Sequence, residues 1–265
     1  MERLMVVKLT SLGCTAEAWF NGLPVARVTP LAPSAVVLAH EAAVTGANRL
    51  ELVVGPDSGA TDAAALLQTA PHAMTAQLHL LLPRLSGVAD ESEARTLARI
   101  EWACAAGEPL SLPARETQEA DLPIRFPRWR WLDAPVLQIT PALTARAHAF
   151  VSGLARDLAR GQTDSFMTAT RLRTEELALA YQRSPDAESA RLREWLEQLY
   201  AASSLVWQPL APQEMKLRPL AGGRLLECQG GDGRAALTTM PDKAGSTITL
   251  PLKVSMVEGR FYVLR

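Results

Sequence analysis

The hydrophobic period of this chain changes once along its length, and no other feature limits its possible folds as strongly. Up to about residue 134, short apolar runs are separated by Gly, Pro, Asn and Asp at intervals of roughly ten residues, a pattern of strands and turns. In "NRLELVV", Leu50, Leu52 and Val54 fall on one face of a strand and Arg49 and Glu51 on the other. "MTAQLHLLLP" sets Leu78, Leu80 and Leu82 against Gln77 and His79 in the same way. Beyond residue 140 the spacing becomes helical, and Leu143, Ala147, Phe150, Val151, Leu154 and Leu158 make one stripe. A strand period and a helix period cannot share one element, so the 265 residues are predicted to form two cores, 1–134 and 138–265. The Pro- and Trp-rich stretch "RFPRWRWLDAPVLQITP" joins them.

Within the first half, "LMVVKLTSL", "AEAWF" and "PVARVTP" read as strands, the last two linked by the turn dipeptide Asn21-Gly22. "TLARIEWAC" and "LPIRF" are further strands, and "ATDAAALLQ" is a candidate short helix inside an otherwise loop-like stretch. Trp19, Phe20, Asn21 and Gly22, followed by Gly46, Asn48, Leu50 and Leu52, make an aromatic-Asn-Gly turn and then a Gly-x-Asn-x-Leu strand. Over residues 4–55 this resembles the galactose-binding-like jelly-roll sandwiches attached to many glycoside hydrolases. The resemblance implies a β-sandwich. In that family these positions shape turns and core, so no ligand comes with them.

In the second half Thr140 and Pro141 are placed as N-cap and first residue of a helix that Gly161 stops. Asp164 is a candidate cap for a second helix, and Ser184-Pro185 opens a third in which Leu192, Trp195, Leu196, Leu199 and Tyr200 line one face. Strands follow: "QEMKLRPL", "GRLLECQ", the turn "GGDG", "RAALTTM", "STITLPLKVSMV", the turn Glu258-Gly259 and "RFYVLR". In the long strand Ile248, Leu250, Leu252, Val254 and Met256 alternate with Thr247, Thr249, Pro251, Lys253 and Ser255, so one face is expected buried and the other wet, and Pro251 on the wet face marks an edge or a bulge. Helices first, then a terminal antiparallel sheet ending in "EGRFYVLR", resemble the nuclear transport factor 2-like superfamily over residues 140–265. That resemblance implies an α+β cone, in which a sheet closes over N-terminal helices. The expected fold class is therefore α+β, a jelly-roll-like sandwich followed by a cone domain.

Charge excludes some functions. A formal net charge of −1 gives no field to hold a nucleic-acid backbone or an anionic membrane, so neither partner is expected. The Arg-rich, Ala-rich composition is what a GC-rich bacterial genome produces. Cys14, Cys104 and Cys228 are odd in number and widely spaced, which suggests a reducing compartment and no disulfide framework. Lys8 interrupts the first apolar run, and no run reaches the roughly 20 residues of a spanning helix, so a cytoplasmic location is expected.

No metal site or cofactor is expected. "HEAAV" has Val44 where a zinc-protease helix needs its second histidine, and His40, His72, His79 and His148 are never paired at ligand spacing, exposed or strand-face positions being their default. Cone-fold enzymes place an acid or base inside the cone, for which His148, Asp157, Tyr181 and Glu227 are the candidates. Arg128, Trp129, Arg130 and Trp131 form the candidate interaction cluster, because Trp and Arg together offer stacking and cation–π contacts to a partner; the alternative is a clamp between domains. With no complete catalytic set, the leading expectation is a non-enzymatic binding protein with a protein partner, of the adaptor or immunity type found in secretion or toxin systems. A small-molecule isomerase or hydrolase using the cone pocket is the alternative. Carbohydrate binding by the sandwich, resting on Trp19 and Phe20, is a third.

Overall fold

The computed structural model describes residues 5–55, 66–83, 94–122, 125, 127–202, 204–208, 210–231 and 233–265. The chain divides into two compact units, Met1–Arg128 and Trp129–Arg265. Its class is mixed α+β, with antiparallel strands in the first unit and three helices followed by strands in the second.

The strands of the first unit are β1 (Val6–Leu12), β2 (Ala16–Phe20), β3 (Leu23–Val28), β4 (Ser34–Leu38), β5 (Gly46–Val54), β6 (Leu66–Thr69), β7 (Met74–Pro83), β8 (Ala94–Cys104), β9 (Pro109–Leu112) and β10 (Ala114–Leu122). They form two four-stranded antiparallel sheets, in the orders β4-β1-β7-β8 and β10-β5-β2-β3, with β6 and β9 as a separate ribbon. The alternation seen in the sequence is what the sheets bury: Leu50, Leu52 and Val54 of β5 and Leu78 and Leu80 of β7 lose almost all exposure. β1 lies against β2 and β3 of the other sheet, with Val7 and Leu9 in the core beside Phe20. Asn21 and Gly22 take φ angles of 52° and 75°, the positive pair that a tight turn between right-twisted strands requires.

Three expectations change here. His79 lies on the strand face opposite Leu78 and Leu80, but that face is buried there, because β7 is an inner strand and its second half is covered on both faces, as Leu81 shows. His40 is also fully buried, in a single 3-10 turn over His40–Ala42. The helix expected over "ATDAAALLQ" falls mostly outside the described residues, and its described end, Leu66–Gln68, is strand β6 paired with β9. "LPIRF" also lies largely outside them, with Leu122 closing β10. The exposed, highly charged β10 has no apolar alternation to announce it. It is a strand because its backbone pairs with β5 from Ala114↔Val54 to Leu122↔Gly46.

The second unit contains α1 (Pro141–Ala159), α2 (Asp164–Ala180), α3 (Pro185–Ala201), then β11 (Lys216–Leu220), β12 (Leu225–Gln229), β13 (Leu237–Thr238), β14 (Thr249–Leu250), β15 (Leu252–Val257) and β16 (Arg260–Val263). The Thr140 hydroxyl accepts the Leu143 amide at 3.1 Å, so α1 starts where its cap dictates. Its stripe of Leu143, Ala147, Val151, Leu154 and Leu158 shares one core with Leu226, Cys228, Leu252, Val254 and Val263 of the antiparallel sheet β11-β12-β15-β16. Asp164 is not the cap of α2. Thr163 occupies that position without a capping bond from its side chain; the Arg193 guanidinium of α3 donates to the Thr163 hydroxyl at 2.9 Å and pairs with Asp164 at 2.8 Å.

α3 buries less than its stripe promised. Leu196 alone is fully buried, while Trp195 is 38% and Tyr200 47% exposed. The long C-terminal strand is also divided at Pro251, which has no N–H to continue a ladder. Thr249–Leu250 pairs with β13, whereas β15 joins the main sheet. Ser255, expected on the wet face, is buried. Among the described residues no helix is long and apolar enough to cross a membrane.

Candidate functional site

Arg128 to Trp131 does not form a strand. Arg130–Leu132 is a single 3-10 turn, so Arg128 and Arg130 do not share a strand face. Trp129 and Trp131 are buried, at 0% and 3% exposure, while Arg128 and Arg130 remain exposed. The Arg265 guanidinium lies 4.3 Å from the centre of the Trp129 ring and donates to Glu176 at 2.9 Å. Glu176 also accepts the Arg130 backbone amide, and the Arg130 side chain reaches Glu175 at 3.1 Å. Glu176 and Arg265 are both buried, and each is paired, as a buried charge must be. The segment thus ties α2 to the end of β16 within the second unit, and its aromatic faces are not presented to solvent.

The four titratable candidates do not converge. Asp157 is half-buried on α1, Tyr181 caps the end of α2 with Arg183 over its ring, and Glu227 on β12 faces Arg218 at 3.5 Å. His148 has Nε2 at 2.8 Å from the Leu210 carbonyl and 3.3 Å from Ser152 Oγ. A carbonyl oxygen can only accept, so Nε2 carries the proton and cannot take one from the serine. In that arrangement the histidine is not placed as a base for Ser152, although one turn of α1 brings the two side chains together. Among the described residues no three His, Cys, Asp or Glu side chains converge as a metal-ligand set.

What the structure does provide is a groove that residue spacing does not reveal. A cleft of about 430 Å³ runs between α1 and residues 205–208 and 210, lined by Val151, Ala155, Leu205, Trp207 and Leu237 with Arg156 at its side. A second cleft of about 420 Å³ shares Ala159, Leu205 and Val206 with it and extends to Tyr200 and Ala201 at the end of α3. Together they form an elongated, mostly apolar groove whose wall includes the exposed Val206 and Tyr200. The Arg156 guanidinium has no ion-pair partner among the described residues. Gly161, at φ 74°, turns the chain at the foot of α1, and a Cβ there would meet the Tyr200 ring at 2.8 Å. The absence of a Cβ thus lets the Tyr200 ring at the end of α3 lie against the turn after α1. A smaller, more polar cleft of about 260 Å³ lies beyond Leu210, beside Glu214 and Arg234.

The remaining sequence features resolve as structure. Asn48 is buried, accepts from the Val44 amide and from Asn21, and donates to the carbonyls of Val44 and Gly46. Asn21 in turn accepts the Arg49 amide at 2.9 Å. The two asparagines thus bond to each other at 2.8 Å and close both loops. Trp19 and Phe20 are buried as well, which removes the aromatic surface that sugar binding would use. All three cysteines are buried thiols, and burial, with Glu227 adding to it, pushes Cys228 up to about 12. No protein-family model, curated protein or solved structure matches the chain.

Proposed function

We propose that this chain is a non-enzymatic binding protein of the adaptor or immunity type, and that the groove along α1 receives an apolar-anchored segment of a protein partner. We further propose that the first unit is a jelly-roll-like sandwich and the second a nuclear transport factor 2-like cone. Two four-stranded antiparallel sheets support the first assignment, and three helices followed by an antiparallel sheet support the second. The observation that carries the functional reading is the groove itself: about 430 and 420 Å³ of adjoining, open, largely apolar space on one unit. Pockets that bind small molecules or anchor side chains have this size and lining. Arg156, which has no ion-pair partner among the described residues, favours an anchor with a carboxylate close to it, since that pair forms without stripping Arg156 of a described partner.

The isomerase or hydrolase reading finds less support, because the only serine and histidine brought together on α1 have their shared nitrogen committed to Leu210. An environment-sensitive naphthalene sulfonate dye has the same chemistry as the proposed anchor, an apolar body beside an anion, and tests the groove directly. Titration is expected to show saturable binding of one dye per chain, lost in Ala155→Phe, which fills the cleft, and weakened in Arg156→Glu. Absence of binding to the unaltered protein, or equal binding to a folded Ala155→Phe protein, defeats the proposal.

A further inference from the structure

The chain contains only two asparagines, Asn21 and Asn48, and the fold bonds them to each other. Asn21 sits in the turn between β2 and β3 and precedes Gly22, which is exposed. Its side-chain amide donates to the Ala42 carbonyl at 2.7 Å and to Asn48 Oδ1 at 2.8 Å, while its own Oδ1 accepts the Arg49 amide at 2.9 Å. Asn48, 2% exposed, is held in one orientation: its Oδ1 takes the Val44 N–H at 2.8 Å, and its Nδ2 donates to the carbonyls of Val44 and Gly46 at 2.8 and 2.6 Å. Asn48 and Ala42 therefore both present acceptors to the turn, and residue 21 has to supply two donors.

Asparagine is thermolabile, and before a glycine it is most open to attack, because the following nitrogen belongs to a residue with no side chain to hinder it. We propose that Asn21 is a deamidation site that folding holds closed and whose product cannot rebuild the native turn. In the reaction the Gly22 nitrogen bonds to Cγ of Asn21, the Cγ–Nδ2 bond breaks, and ammonia departs with the proton of the attacking amide. Water then opens the cyclic imide to aspartate or isoaspartate. Closing that ring swings Cγ onto the Gly22 nitrogen, a movement that the three hydrogen bonds to Ala42, Asn48 and Arg49 oppose in the folded chain and that nothing opposes once the turn is open. The product places a carboxylate, which only accepts, against the Ala42 carbonyl and Asn48 Oδ1. Time spent with this turn open is thus recorded as a covalent change that separates the β2–β3 turn from the segment 42–48. The site lies in the first unit, so it stands or falls independently of the groove in the second.

Peptide mapping by mass spectrometry, after incubation of the full chain in mildly alkaline buffer, tests it. In guanidinium, residue 21 is expected to convert to aspartate and isoaspartate; in buffer alone the conversion is expected to be at least about tenfold slower, as the loss of three hydrogen bonds requires. Asn48→Ala, which removes one acceptor and loosens the segment, is expected to speed the reaction in the folded protein. Asn21→Asp keeps a favoured Asp-Gly turn but brings no donors, so it is expected to melt at a lower temperature than the unaltered chain, which a merely local turn role does not predict. Should Asn48→Ala fail to fold, the native and denatured rates and the melting of Asn21→Asp decide. Equal rates in buffer and guanidinium, a folded Asn48→Ala protein that deamidates no faster, or an unchanged melting temperature for Asn21→Asp overturns the proposal.

Discussion

Burial at single residues has its clearest consequence at His40. The imidazole is fully buried, and burial drives its pKa from the ordinary 6.5 down to about 4. The folded chain therefore holds it neutral while the unfolded chain protonates it below 6.5. Stability is full above that value and falls as the pH drops toward 4, with a slope of at most about 1.4 kcal/mol per pH unit while the two states differ by one proton. Below 4 both states carry the proton and this contribution ends. Chemical denaturation at several pH values is expected to show this slope, and His40→Gln to lack that part of it. Equal slopes in the two proteins over pH 6.5 to 4 would show that another group is responsible.

Elements follow their own patterns only as far as a neighbour is there to cover them. α3 has an apolar stripe wide enough for a deeply seated helix, yet Leu196 is its one fully buried residue and Trp195 and Tyr200 stay partly in solvent. The usual ranking of substitutions is thereby reversed. Leu196→Ala is expected to cost about 2–5 kcal/mol, and Trp195→Ala about 1 kcal/mol. Denaturant midpoints of the two proteins check this, and a larger loss from Trp195→Ala would mean that α3 seats the tryptophan. β14 and β15 teach the same lesson in a strand. Thr249 to Val257 alternates as one element, but the missing N–H of Pro251 lets the two halves join different sheets.

For the whole molecule the testable quantity is where each unit begins. Trp129 lies under Arg265, and the Arg130 amide is bound by Glu176, so the second unit needs residues that precede its first helix by more than ten positions. A fragment spanning 129–265 is expected to fold with a cooperative transition, and one spanning 138–265 to be less stable, because it leaves the buried Glu176–Arg265 pair open on one side and exposes the tryptophan's place. Removing a packed Trp costs about 3–5 kcal/mol, a large part of a domain's stability of roughly 5–15 kcal/mol. Equal melting temperatures for the two fragments would show that 129–137 contributes nothing to the unit.

Much of this was written in the sequence. Alternation along β5 and β7, the Asn21-Gly22 turn, the Thr140 and Ser184 caps and the stripe of α1 are local, each needing only side-chain period or a dihedral preference to be legible. The α+β class follows from them. Tertiary structure alone decided three things. It made the charged β10 a strand, through backbone pairing that no side chain signals. It buried Trp129 and Trp131 and left Trp195 and Tyr200 partly exposed, because exposure depends on what lies opposite a residue and not on the residue itself. And it opened the groove between α1 and residues 205–208 and 210, since a cavity is the space that several separated segments fail to fill, and no one of them records its shape.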